Sequence, residues 1–123
     1  MKRLLVIEDD VDIRELVAFK LTQVGYEVEA FEDPREAVEA ALHQPPDLVV
    51  LDIMMPAMSG LEVCRRLRAE PATAVTPIVM LTAKAQEADV ERGFAAGATD
   101  YVVKPFSPRE LVSRVDAILS RAA

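Results

Sequence analysis

Four short apolar runs in this chain each end on a residue equipped for polar chemistry. Leu4–Ile7 runs into Glu8, Asp9 and Asp10, Leu48–Leu51 into Asp52, Ile78–Leu81 into Thr82, and Tyr101–Val103 into Lys104. Apolar runs this short read as strands, and the Asp52 run is apolar throughout, as in a strand buried on both faces. If the strands are parallel, all four ends gather at the carboxyl edge of one sheet, where open α/β sheets place their ligands. Carboxylates crowded there repel one another, and a hard divalent cation taking oxygen ligands relieves the repulsion. Magnesium is the default, because it combines one or two carboxylates with waters and phosphate oxygens. A lysine ammonium and a hydroxyl opposite that cation complete a clamp for a phosphoryl group. An aspartate can itself be the nucleophile, giving an acyl phosphate.

The elements that must position these groups follow from periodicity and caps. After the first strand, Asp10 caps a helix whose apolar positions Ile13, Leu16, Val17, Leu21 and Val24 recur at three and four residues, and Gly25 ends it. Tyr26–Phe31 alternates apolar with acidic, which predicts a half-exposed strand at a sheet edge. Asp33, Pro34 and Glu36 open a second helix through about Leu42, with a break at 43–46. Met54–Met58 is a loop, and Ser59 with Glu62 forms a capping box for a third helix carrying Leu61, Cys64 and Leu67. A fourth helix from about Glu87 places Val90 and Phe94 four apart and stops near Gly97. Ser107, Pro108 and Glu110 open the last, with Leu111, Val115, Ile118 and Leu119 as its apolar stripe. Strand and helix alternate five times, which predicts an α/β fold: a doubly wound parallel sheet with helices on both faces and right-handed crossovers.

Composition narrows the partners. At 123 residues the chain is expected to be one domain, 1–123, able to bury a core without disulfides or metal staples. A net charge of -7 argues against direct binding to nucleic acid or anionic membrane, so any DNA contact needs a partner domain. The lone Cys64 fits a reducing cytosol, no apolar run reaches transmembrane length, and the start MKRLLVIEDD turns acidic too early for a signal peptide; a cytoplasmic location is expected.

The segments VIEDD, DIMMPAMSG, VMLTA and DYVVKPFS, in this order and spacing, resemble the receiver domain of two-component response regulators, and the resemblance runs from about Lys2 to Ser120. It implies five strands in the order 2-1-3-4-5 with five helices, a flavodoxin-like three-layer sandwich. It implies that Asp52 is the phosphoacceptor for a partner histidine kinase or phosphotransfer protein. Asp9 would bind magnesium directly and Glu8 mainly through water, with the Met54 backbone carbonyl as a further ligand. Thr82 and Lys104 would hold the phosphoryl oxygens, assisted by the Ala83 amide. Tyr101 falls on the family's aromatic switch position, Lys104-Pro105 on its cis peptide, and the output face would be the fourth helix, fifth strand and fifth helix. Met54 and Lys84, two residues beyond Asp52 and Thr82, fall where the family tunes the lifetime of the phosphorylated state. Arg92, Asp100, Glu110, Arg114 and Arg121 resemble part of the charged set with which winged-helix regulators form homodimers, whereas Val90 and Thr99 depart from it.

Plainer readings stand beside these. Asp10 reads as a helix cap, Cys64 as core, and Met54, Met55 and Met58 as packing and loop residues. Taken singly, Thr82 is a strand-end hydroxyl, Lys104 a solvated lysine, Tyr101 a half-buried aromatic and His43 a loop residue. Among function classes, a magnesium-dependent phosphatase fits the acids but lacks a second histidine or spare acid for turnover. A nucleotide or flavin binder would need a glycine-rich phosphate loop after a strand, and none occurs. The alternative to a phosphorylated switch is a receiver-like scaffold that works by protein interaction alone.

Overall fold

The computed structural model describes residues 1–83 and 87–121. In chain order it contains β1 (Arg3–Ile7), α1 (Val11–Gln23), β2 (Glu27–Phe31), α2 (Pro34–His43), β3 (Leu48–Asp52), α3 (Gly60–Ala69), β4 (Ile78–Ala83), α4 (Glu87–Ala96), β5 (Asp100–Lys104) and α5 (Pro108–Arg121). The five strands form one parallel sheet in the order β2-β1-β3-β4-β5. β3 is central and buried along its whole length, while β2, the alternating acidic segment, is an edge.

Period-two alternation sends the strand side chains to two cores. Leu5, Ile7, Val49, Leu51, Ile78 and Met80 pack with α2 and α3, whereas Leu4, Val6, Val50, Val79, Leu81 and Val102 pack with α1 and α5. The caps follow the sequence. Asp10 Oδ1 accepts from the N–H groups of Asp12 and Ile13 at 2.9 and 3.1 Å, Asp33 from Arg35, and Ser59 Oγ from Glu62. Gly25 turns the chain after α1 at φ 105°, in the left-handed region.

Several expectations shift. Leu16 and Val24 are exposed instead of lying on a buried stripe, because α1 seats on β1, β2 and α5 chiefly through Val17 and Leu21, and Val24 is already its C-cap. His43 is the last residue of α2, not a loop residue. β4 continues to Ala83 because Thr82 and Ala83 still pair with Val103 and Lys104. On α4, Gly93 is buried and Phe94 is not: Gly93 faces the Met80 sulfur, and Phe94 lies outside against Tyr101. Cys64 is core as expected, its Sγ 3.4 Å from the Ala96 carbonyl and its thiol pKa pushed up by burial. Arg68 fastens the end of α4 to α3, Nε and Nη2 donating to the Gly97 carbonyl at 3.0 and 2.8 Å.

Gly60 decides how closely α3 approaches the acid-bearing loop. Its N–H donates to the Ile53 carbonyl at 2.8 Å, and a Cβ there would stand 2.3 Å from the Asp52 carbonyl oxygen and 2.8 Å from the Ile53 Cα. Both neighbours are backbone and cannot swing aside. Gly60→Ala is therefore expected to cost about 3 kcal/mol, as overpacking does. Urea unfolding reads it as a lower midpoint, and an unchanged midpoint would show that the loop yields freely.

Candidate functional site

Register places the charged strand ends together. Ile7 pairs with Leu51 and Asp52 with Leu81, so Glu8 and Asp9, just past β1, face Asp52 at the end of β3. Thr82 pairs with Val103 and Ala83 with Lys104, which brings the lysine alongside the hydroxyl at the same edge. One carboxylate oxygen from each of Glu8, Asp9 and Asp52 lies within 4.8 Å of the other two. Lys104 Nζ stands 3.2 Å from Asp52 Oδ1 and 2.9 Å from Glu8 Oε1; the second contact is a charge pairing without hydrogen-bond alignment. The Met54 N–H donates to Asp52 Oδ1 at 3.3 Å.

Burial gives these charges their weight. Glu8 is 0%, Asp52 3% and Thr82 2% exposed, against 23% for the Lys104 side chain. One ammonium thus faces two buried carboxylates, with a third, Asp9, at the rim. Three oxygen-bearing acids so close suit a hard divalent cation, and the set contains no soft sulfur or imidazole ligand. Asp9 also lines a cleft of about 360 Å³ bounded by Glu32, Asp33, Arg35, Pro56 and Ala57. Thr82 Oγ1 is buried with no hydrogen-bond partner among the described residues. A buried hydroxyl left without a partner is costly, and one at the mouth of an anion site gains its partner when the anion arrives.

The sequence-derived set therefore assembles: Glu8, Asp9, Asp52, Thr82 and Lys104 share one edge, and Met54 and Ala83 adjoin it. Lys104-Pro105 is cis. Tyr101 is half-buried on β5, three residues before Lys104, its ring 5.6 Å from that of Phe94 in an edge-to-face contact. Asp10 turns from the cluster to cap α1, although its N–H donates to Glu8 Oε2 at 3.2 Å. Lys84 lies outside the described residues. One contributor was not legible in the sequence: Arg14, whose Nη1 donates to the Glu8 and Asp9 carbonyls at 2.9 and 3.4 Å. An arginine four residues after a cap reads as an exposed helix charge, and only the fold brings the loop carbonyls to it.

Protonation follows from the crowding. Burial, reinforced by the neighbouring Asp52, pushes Glu8 up to about 7 against the pull of Lys104 and the Asp10 N–H. Burial also raises Asp52, although the Glu8 and Lys104 contacts restrain it. On Lys104 burial acts to lower the pKa, but its pairing with Glu8 and Asp52 outweighs it and holds the ammonium charged. Between the ordinary carboxyl range and pH 7 the folded protein keeps a proton on Glu8 that the unfolded chain has released, so stability falls as pH rises through that window. The loss for metal-free protein is on the order of 3 kcal/mol. Urea midpoints in chelator should drop between pH 5 and 8, with a shallower slope in Glu8→Gln or with a divalent cation present. A slope unchanged in Glu8→Gln would assign the effect elsewhere.

Comparison with known proteins agrees with this geometry. The family model for the response regulator receiver domain matches residues 4–116. The chain is 47% identical over 121 residues to the transcriptional regulatory protein ResD of Bacillus subtilis, covering 98% of this chain and 49% of that protein. It is 45% identical over 120 residues to the phosphate regulon transcriptional regulatory protein PhoB of Escherichia coli, covering 98% and 52%. The chain thus spans about half the length of the curated relatives it matches. Among solved structures, a response regulator described as putative from Chloroflexus aurantiacus superposes with a TM-score of 0.92 at 39% identity, covering 97% of this chain and 98% of that one. The chemotaxis protein CheY4 of Vibrio cholerae superposes at 0.90 and 36%, covering 96% and 98%. With its five-stranded order, its converging strand ends and this match over most of its length, the chain belongs to the receiver domains of two-component response regulators, which are signalling domains.

Proposed function

We propose that this receiver domain, residues 1–123, accepts a phosphoryl group on Asp52 from the phosphohistidine of a sensor histidine kinase or phosphotransfer protein, in a magnesium-dependent reaction. The observation that carries the proposal is the meeting of three carboxylates within 4.8 Å of one another, beside Lys104 and the partnerless Thr82 hydroxyl. An Asp52 carboxylate oxygen forms a bond to phosphorus, the donor's N–P bond breaks, and the imidazole leaves with the electron pair and takes up a proton. Glu8, Asp9, Asp52 and the Met54 carbonyl would hold the magnesium ion, which when bound offsets the negative charge of the acids and of the phosphoryl oxygens. Lys104 exchanges a carboxylate for a phosphoryl oxygen, Thr82 donates its hydroxyl, and the Ala83 N–H assists. The domain is an acceptor with slow self-dephosphorylation, not an enzyme turning over an external substrate.

Phosphorylation adds about -1.5 to -2 charges and three strong acceptor oxygens. Thr82 moves toward them, and Tyr101 leaves its contact with Phe94 to turn inward, which changes the face of α4, β5 and α5. Driving a two-state switch from 1:99 to 99:1 takes about 5.5 kcal/mol, within reach of two or three charge-assisted hydrogen bonds at about 1.5–3 kcal/mol each. On that face Arg114 pairs within the chain with Asp100 at 3.1 Å and Glu110 at 3.5 Å, so a phosphorylation-dependent homodimer would exchange these partners across the interface. The domain does not itself bind DNA. Among the described residues no helix is long and apolar enough to cross a membrane, and the proposed location is cytoplasmic.

The test is intact mass after incubation with acetyl phosphate, with and without magnesium, followed by size-exclusion chromatography of the same samples. A gain of one phosphoryl group only with magnesium is expected, and a larger species only in the phosphorylated sample supports the dimer. No adduct under either condition would leave the phosphorylation-independent scaffold as the better reading.

A further inference from the structure

We infer that Arg14 is a positioning residue for the cation site: it holds the backbone of the Glu8–Asp9 loop so that both carboxylates stay turned toward Asp52. The inference rests on the proposed reading of Glu8, Asp9 and Asp52 as the cation-binding set. Arg14 lies on α1, half-buried, and among the described residues its guanidinium makes no ion pair with any carboxylate. It donates instead from Nη1 to the Glu8 carbonyl at 2.9 Å and toward the Asp9 carbonyl at 3.4 Å. An arginine beside an acidic cluster that bonds main-chain oxygens in place of acids acts on the shape of the loop.

The loop needs holding. Glu8, Asp9 and Asp52 repel one another, Lys104 offsets the repulsion from the β5 side only, and the lowest-cost relief is for the β1–α1 connection to swing away from β3. Among the described residues, three ties at Glu8 and Asp9 oppose that movement. The Glu8 N–H donates to the Phe31 carbonyl at 3.1 Å, the Asp10 N–H to Glu8 Oε2 at 3.2 Å, and Arg14 closes the loop from the helix. The first two fix Glu8 at its amide and its carboxylate. Arg14 is the tie that reaches Asp9, the acid at the solvent rim.

Charge and position predict opposite signs, which makes the inference testable. Removing a positive charge near a cation site should, on charge alone, tighten cation binding. Loss of a residue that orients the ligands should weaken it, typically by 10-fold or more. The experiment is calorimetric titration of Mg²⁺ into unphosphorylated wild type, Arg14→Ala, Arg14→Lys and Lys20→Ala, with a urea midpoint for each. Lys20 carries the same charge in the last turn of the same helix, six residues further from the loop. We expect Arg14→Ala to bind about tenfold more weakly, Arg14→Lys to recover part of the loss through one carbonyl, and Lys20→Ala to bind as tightly as wild type or more so. Should Arg14→Ala fail to fold, the Arg14→Lys against Lys20→Ala comparison carries the same sign test. A folded Arg14→Ala, or an Arg14→Lys in its place, that binds Mg²⁺ as tightly as wild type overturns the role of Arg14 alone. Failure of wild type to bind Mg²⁺ overturns the cation-site reading, and this inference with it.

Discussion

Asp52→Asn takes up no phosphoryl group from acetyl phosphate, and its metal-free form gains stability above pH 7. Both effects have one cause. Asparagine keeps the shape of the side chain and an oxygen at the Oδ1 position, where the Met54 N–H and Lys104 donate, so the loop stays in place. It removes the nucleophilic carboxylate and one of the two buried charges that share Lys104. With Asp52 neutral, Glu8 loses the neighbour that adds to its burial, ionises more readily, and pairs with Lys104 alone. A gain of about 1 kcal/mol alongside total loss of the adduct is the pattern of a site that trades stability for chemistry. Intact mass and urea midpoints in chelator at pH 8 check both halves. A surviving adduct would move the acceptor elsewhere, and a large loss of stability would make Asp52 a structural acid.

Lys104→Ala is expected to act oppositely on stability and to slow phosphoryl transfer about 10²–10³-fold, the usual cost of losing one preorganised charge aimed at developing negative charge. Without the ammonium, Glu8 and Asp52 face each other uncompensated, both nearly without solvent. Breaking a fully buried pair costs about 3–5 kcal/mol; Lys104 is partly exposed, so about 2 kcal/mol is expected at pH 8 and less at pH 5, where Glu8 keeps its proton. Time courses of adduct formation by mass, with urea unfolding at the two pH values, read rate and stability separately. A rate equal to wild type would place Lys104 outside the transfer step.

Much of the site was legible because its chemistry is coded locally. Each of Glu8, Asp9, Asp52, Thr82 and Lys104 terminates an apolar run, and parallel strands put such ends on one edge. Asp10, Asp33 and Ser59 were legible as caps because a short acceptor side chain before a first turn has few other uses. The strand order and the parts proposed for Met54, Ala83 and Tyr101 came from resemblance, since no residue pattern fixes which strands are neighbours. What stayed hidden depends on what lies across space. Leu16 and Val24 of the α1 stripe are apolar yet exposed, because neighbouring elements and not periodicity decide burial. Gly60 read as the end of a loop motif, whereas its reason is the approach of the Asp52 carbonyl. A glycine at a first helical turn, where Pro or a good helix former serves better, was the available hint. Arg14 offered none, because its partners are main-chain oxygens.

The most direct measurement is chemical. An acyl phosphate on aspartate is reduced by borohydride to homoserine, whereas a free carboxylate is not. Treating the protein with acetyl phosphate, with and without magnesium, then with borohydride, and mapping the digested peptides by mass spectrometry locates the phosphoryl group. Homoserine is expected at position 52 alone, and only in the magnesium sample. Homoserine at Glu8's neighbour Asp9 or at any other aspartate, or none at position 52 with magnesium present, would contradict the assignment of Asp52 as phosphoacceptor.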